Sequence, residues 1–145
     1  MIFTKSCEYG IRAVIYIAKQ SMNDNLASLK DIAKEIDSPE AFTAKILQTL
    51  VKDKVIVSVQ GARGGFKIEK KDLKKIKLTD IVHAIDGENI DKICVLGLKK
   101  CSELNPCPVH HKYKGIKKDL LSMLNGTSLL EMSTSINKGL SWLKI

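Results

Sequence analysis

Residues 94–111, CVLGLKKCSELNPCPVHH, gather three of the chain's four cysteines and two of its three histidines. Thiolates and imidazoles are donors suited to iron-sulfur clusters and to zinc. Three Cys and one His can close a structural zinc site, and without metal the same thiols can switch by forming a disulfide. Single dispersed cysteines are less typical of zinc than a tight Cys-x-x-Cys pair. Pro106 and Pro108 bracket Cys107, and Pro108 is expected to open a helix whose positive N-terminal end then lies beside Cys107 and His110. Lys92, Lys99 and Lys100 add positive charge that favours thiolates. Cys7 stands far from this stretch and reads as a small core residue.

The rest of the chain has to hold such a loop in place. At 145 residues, 44% of them apolar, it suits one compact domain or a small domain with an appendage. The absence of any apolar run near 18 residues predicts no membrane span, and the expected location is cytoplasmic, where cysteines are reduced or bind metal. The net charge of +8 is uneven: residues 1–77 carry 15 Lys/Arg against 9 Asp/Glu, and residues 78–145 carry 9 against 7. A basic front half points to a polyanionic partner.

Cys7, Ile11, Val14, Ile15 and Ala18 form the stripe of an amphipathic helix. SLKD at 28–31 reads as a capping box opening a short helix, and Ser38-Pro39-Glu40 as the cap and first turn of another, burying Phe42, Ile46, Leu47 and Leu50. VIVSV at 55–59, QGARGG at 60–65 and FKI at 66–68 predict a hairpin. Helix, helix, helix, hairpin is the order of a winged helix-turn-helix. A Lys-rich connector at 69–77 leads to a helix over LTDIVHAIDG, capped by Thr79 and stopped at Gly87. A helix over about 108–125 follows, with Val109, Tyr113, Ile116, Leu120 and Met123 stepping by four and three as in a helix-helix seam. So broad an apolar face predicts a homodimer. A last helix from Thr127 to about Lys138 brings in Leu129, Leu130 and Met132, with Trp142 expected to anchor the tail.

TKSCEYGIRAVIYIA, IDSPEAFTAKILQTLVKDKVI, the wing SVQGARGGFKI and the three-cysteine loop before a long helix together resemble the bacterial Rrf family of winged-helix transcriptional regulators. The match is to its IscR/NsrR-like, iron-sulfur-binding branch and extends over residues 1 to about 139. The resemblance implies a mainly α fold with a small β-hairpin wing and a long C-terminal dimerisation helix that crosses between subunits. It implies three segments: a DNA-binding region at 1–77, a connecting helix and cluster loop at 78–107, and dimerisation and C-terminal helices at 108–145. It also implies a cluster, 2Fe-2S or 4Fe-4S, on Cys94, Cys101 and Cys107. His110 would be the fourth ligand, or alternatively Glu8 of the partner subunit. The first gap between cysteines, six residues, is one longer than is common in such proteins, which leaves the cluster type open.

In a helix-turn-helix the first turns of the second helix meet base edges. The candidates are Ser38, Pro39, Glu40, Ala41, Thr43 and Ala44, with Lys45 and Gln48 nearer the phosphates and Gln60 and Arg63 on the wing. The expected partner is a palindromic operator in double-stranded DNA, bound with an affinity that the cluster controls. Zinc or metal-free thiols remain alternatives for the loop. An electron-transfer or thiol-redox protein is the alternative from another class, although it leaves the wing and helix-turn-helix unexplained. No nucleophile elbow, phosphate-binding loop or paired carboxylates point to an enzyme.

Overall fold

The computed structural model describes residues 2–144. Helix α1 (Lys5–Met22) starts where the Thr4 hydroxyl accepts the Cys7 N–H at 3.1 Å, and its expected stripe turns inward, with Cys7, Val14, Ile15 and Ala18 buried. Ser28 caps α2 (Leu29–Glu35) by accepting the Asp31 N–H at 3.1 Å. Helix α3 (Glu40–Lys52) packs Ile46, Leu47 and Leu50 against α1 and α2. A hairpin of β1 (Val57–Val59) and β2 (Gly65–Lys67) follows, antiparallel, with Val57 opposite Lys67 and Val59 opposite Gly65.

The hairpin is fastened to the helical core through β2, and just beyond it the Ile68 N–H donates to the buried Ser21 hydroxyl at 3.0 Å. Ala27 and Phe66 exchange both backbone hydrogen bonds, at 3.0 and 2.8 Å, tying the wing to the α1–α2 connection. A Cβ on Gly65 would lie 2.7 Å from the Ala27 carbonyl oxygen, and one on Gly64 would lie 2.1 Å from that of Val59. Those two glycines are needed because backbone passes where a side chain would be.

Helix α4 (Leu78–Asp86) packs on α1 and α3, and α5 (His110–Gly126) packs on α4. A second core of Cys7, Leu78, Val82 and Leu124 joins the three helices α1, α4 and α5, with Ile90 and Leu120 against it. Thr4 donates from its backbone N–H and its hydroxyl to the two carboxylate oxygens of Asp86, closing the same joint from outside. Helix α6 (Leu129–Asn137), capped by Ser128, returns to α1, so the C-terminal end of the chain rejoins the winged core.

Several local expectations are corrected. The first strand begins at Val57 because Val55 and Ile56 are drawn into the core as the chain leaves α3, the Val55 N–H bonding the Leu50 carbonyl at 3.0 Å. Ser38 is not a cap: α3 starts after Pro39, whose carbonyl accepts the Thr43 N–H at 2.9 Å, and the Ser38 hydroxyl is buried without a partner. Thr79 lies inside α4, which begins two residues earlier than a Thr79 cap would place it: the Leu78 N–H is held by Thr127 O at 2.9 Å, and Asp80 takes the Lys77 N–H at 2.7 Å. Helix α5 starts at His110 and leaves Pro108 outside. Trp142 is 73% exposed; the tail is held instead by Leu143 against the core and by the Ser135 and Ser141 hydroxyls, 2.7 Å apart.

Candidate nucleic-acid interface and metal centre

Burial of Thr43, Ile46, Leu47 and Leu50 fixes the rotation of α3, so its solvent face carries Glu40, Ala41, Lys45 and Gln48, with Pro39 exposed just before it. Ala44 is half-buried at the edge. Thr43 is removed from the list of base-reading candidates: it has no exposed surface, and its hydroxyl donates to the Pro39 carbonyl at 2.9 Å. Gln60 and Arg63 are both exposed on the wing, Gln60 donating to the Ser58 hydroxyl at 3.3 Å.

Sequence reasoning missed part of this face. Phe42, expected in the core, is 36% exposed and meets the Tyr9 ring edge-on, with centroids 5.8 Å apart. The Arg12 guanidinium lies 4.8 Å from the centre of that ring and the Lys5 ammonium 5.8 Å from it. The signal was present, since Lys5, Tyr9 and Arg12 are spaced by four and three along α1 and so share a face.

Residues 88–109 between α4 and α5 hold all three clustered cysteines and only one short 3-10 turn, Ile90–Lys92. Cys94 is buried, and the Leu96 and Leu98 backbone N–H groups, with smaller contributions from the Cys107 thiol and Lys117, hold its pKa below the ordinary thiol value. Cys101 donates its N–H to the Lys92 carbonyl at 3.2 Å, and its Sγ lies 3.3 Å from His110 Nδ1. His110 is 6% exposed, and its Nε2 is buried with no hydrogen-bond partner. The His110 N–H is held by the Cys107 carbonyl at 3.0 Å, so the helix start and the last cysteine are one unit.

Of the four candidates, Cys101 and His110 stand in direct contact. Among the described residues no three of His, Cys, Asp or Glu are arranged about a single point as a metal would require. The donor chemistry nevertheless fits a soft metal, since three thiols, that of Cys94 buried, and an imidazole with an unsatisfied nitrogen are ligands of that kind. Glu8 lies on the first turn of α1, its carboxylate 3.5 Å from the Lys5 ammonium. Cys7 is separate: burial first, then the Asp86 carboxylate, pushes its thiol up to about 12. Glu103, between Cys101 and Cys107, pairs with Lys114, which holds its carboxyl below the usual range.

Large apolar side chains surround this loop in the open. Ile93, Val95, Leu96 and Leu98 are each at least half exposed, and Ile116 and Met123 of α5 are 64% and 48% exposed. Leu120 and Leu124 of the same helix turn toward α4 instead, so the expected seam divides between an inner and an outer face.

A helix-turn-helix followed by a two-strand wing, with a basic reading face, defines a winged-helix DNA-binding regulator. The sequence profile of the Rrf2 family, described as an iron-dependent transcriptional regulator, matches residues 3–135, and the chain belongs to that family. It is 35% identical over 134 residues to a protein of Aquifex aeolicus provisionally named an HTH-type transcriptional regulator, spanning 91% of each chain. It is 26% identical over 132 residues to the regulator IscR of Yersinia pseudotuberculosis, spanning 91% of this chain and 79% of that one. Among solved structures, CymR, the global cysteine regulator of B. subtilis, superposes with a TM-score of 0.75 at 22% identity, covering 91% of this chain and 95% of the other. IscR of T. potens superposes with a TM-score of 0.68 at 21% identity, covering 95% and 90%. The family is one of transcriptional regulators and not of enzymes. No helix among the described residues is long and apolar enough to cross a membrane.

Proposed function

We propose that this regulator binds a palindromic operator in double-stranded DNA as a homodimer, and that an iron-sulfur cluster held by the 88–109 loop sets its affinity. Cys94, Cys101, Cys107 and His110 would hold the cluster. The observation that carries this reading is the pairing of Cys101 Sγ with the buried His110 ring, whose second nitrogen has no partner. A buried polar atom left unpaired is costly unless something fills its need, and a soft metal centre would do so. The match to IscR of Y. pseudotuberculosis supports the same direction. Bound, the cluster would supply a redox- or nitric-oxide-sensitive centre; its potential would depend on ligand charge and nearby hydrogen bonds.

The chain's own part is to read DNA and to transmit the state of the loop. Gln48 and Lys45 are long polar side chains on the open face of α3, able to reach an adenine or guanine edge or a phosphate, and Glu40 can accept from cytosine. Ala41 offers a methyl contact to thymine, and Arg63 at the wing tip suits a narrow minor groove. In a dimer two such heads must match half-sites about 34 Å apart, so a small change in the angle between subunits changes affinity. The loop sits between α4, which packs on the winged core, and α5, whose outer apolar face suits a second subunit. Control then acts as a shift between dimer geometries that bind DNA unequally.

Anaerobic purification followed by iron, sulfide and zinc analysis and an absorption spectrum tests the centre. Iron with matching sulfide and a visible charge-transfer band is the expected result. Stoichiometric zinc without iron would replace the cluster by a structural site, and neither metal would leave a thiol switch.

A further inference from the structure

We propose that Lys117 is a positioning residue for the cysteine loop, holding the turn from which Cys94 and Cys101 are both suspended. This rests on the metal-site reading above. His110, Tyr113, Lys117, Leu120 and Leu124 step by three and four along α5 and so form one stripe. At its far end Leu120 and Leu124 are fixed in the second core against Cys7 and Val82; at its near end is His110. Lys117 lies midway on this anchored face.

A helical lysine ordinarily extends into water. Lys117 is half-buried, lies 5.7 Å from the centre of the Tyr113 ring, and donates from Nζ to the Asp91 carbonyl at 2.7 Å. Asp91 is the middle residue of the 3-10 turn Ile90–Lys92, and the next carbonyl, of Lys92, accepts the Cys101 N–H. Cys94 follows two residues later. One charge-assisted bond from α5 thus fixes the segment that orients two of the three thiols relative to His110 on the same helix. The position of the ammonium also suits a site where three thiolates collect negative charge. Lys114 with Glu103 is the contrasting case: both side chains are more than 60% exposed, and such pairs hold little.

Hydrogen exchange on the metal-free full chain tests this without relying on any cofactor. In K117M the amides of Lys92 and Cys101, both hydrogen-bonded through this turn, are expected to exchange about tenfold faster, the size expected from losing one charge-assisted hydrogen bond. K117R keeps a charged donor at that reach and is expected to restore slow exchange, and K114M should change little. In protein reconstituted with iron and sulfide, K117M should lower the midpoint potential, because a positive charge has been removed from beside the thiolates. Exchange in K117M equal to wild type, or in K117R as fast as in K117M, overturns the assignment. Wild type that takes up no iron and sulfide overturns the metal reading instead, and the exchange data still decide on Lys117.

Discussion

The four cysteines differ by position more than by chemistry. Cys7 is closed off beside Asp86, while Cys94 is held by amide N–H groups that favour its thiolate. In the native metal-free protein at pH 8, mass spectrometry after iodoacetamide treatment should find the half-buried Cys101 and Cys107 modified and the fully buried Cys7 untouched. The raised Cys7 value also has a stability consequence. Below its ordinary value of 9.0 the thiol is neutral in both states; from there to about 12 only the unfolded chain loses the proton. The unfolded state then binds fewer protons, so stability falls as pH rises through that window. Urea midpoints at pH 8 and pH 11 should show wild type losing more than C7A. Thr43 gives the complementary prediction. T43V should cost about 1 kcal/mol by removing a buried hydrogen bond while leaving operator sequence preference unchanged, whereas Q48A should relax preference at one base pair. The spacing held this signal: at about 100° per residue, Thr43 falls in the middle of the face set by Ile46, Leu47 and Leu50, and Phe42 falls at its edge. Phe42 moved outward by the same geometry, toward an aromatic partner on another helix that local pattern does not encode.

At the scale of elements, the order of the winged helix was legible because each piece had its own local signal: the α1 stripe, the Ser28 cap, the glycine-rich turn. What decides their ends is tertiary. The wing is docked by Ala27, nearly forty residues before Phe66, and α4 begins early because Thr127 reaches back to it. G65A is therefore expected to destabilise the protein by about 1–3 kcal/mol, since its Cβ must displace the Ala27 carbonyl. A lowered thermal midpoint, with accelerated hydrogen exchange at Phe66, is the measurement that checks it. In the loop the residue types were legible but their arrangement was not. Nothing in the spacing of Cys94, Cys101 and Cys107 announces the contact of Cys101 with His110, or an α5 lysine bonded to the Asp91 carbonyl.

The whole molecule divides its apolar surface in two. One part closes around α1, and the other stands open on α5 and the cysteine loop. Exposed Ile116 and Met123 on the outer side of α5 place the proposed dimer contact there. I116K with M123K should yield a folded monomer by sedimentation, with operator affinity reduced at least about a hundredfold as one half-site is lost. That the helix would have such a face was readable from its seam of fours and threes; which residues would turn inward to α4 was not. The account's central claim is that the state of the cysteine loop governs the grip of the winged heads. It is tested most directly by an anaerobic titration of one operator duplex, at fixed salt, with the cluster-loaded and the chelator-stripped dimer. The account predicts affinities differing by about tenfold or more, within the usual range of coupling between sites, and a difference abolished in C101A. Equal affinities for the loaded and stripped protein would contradict it.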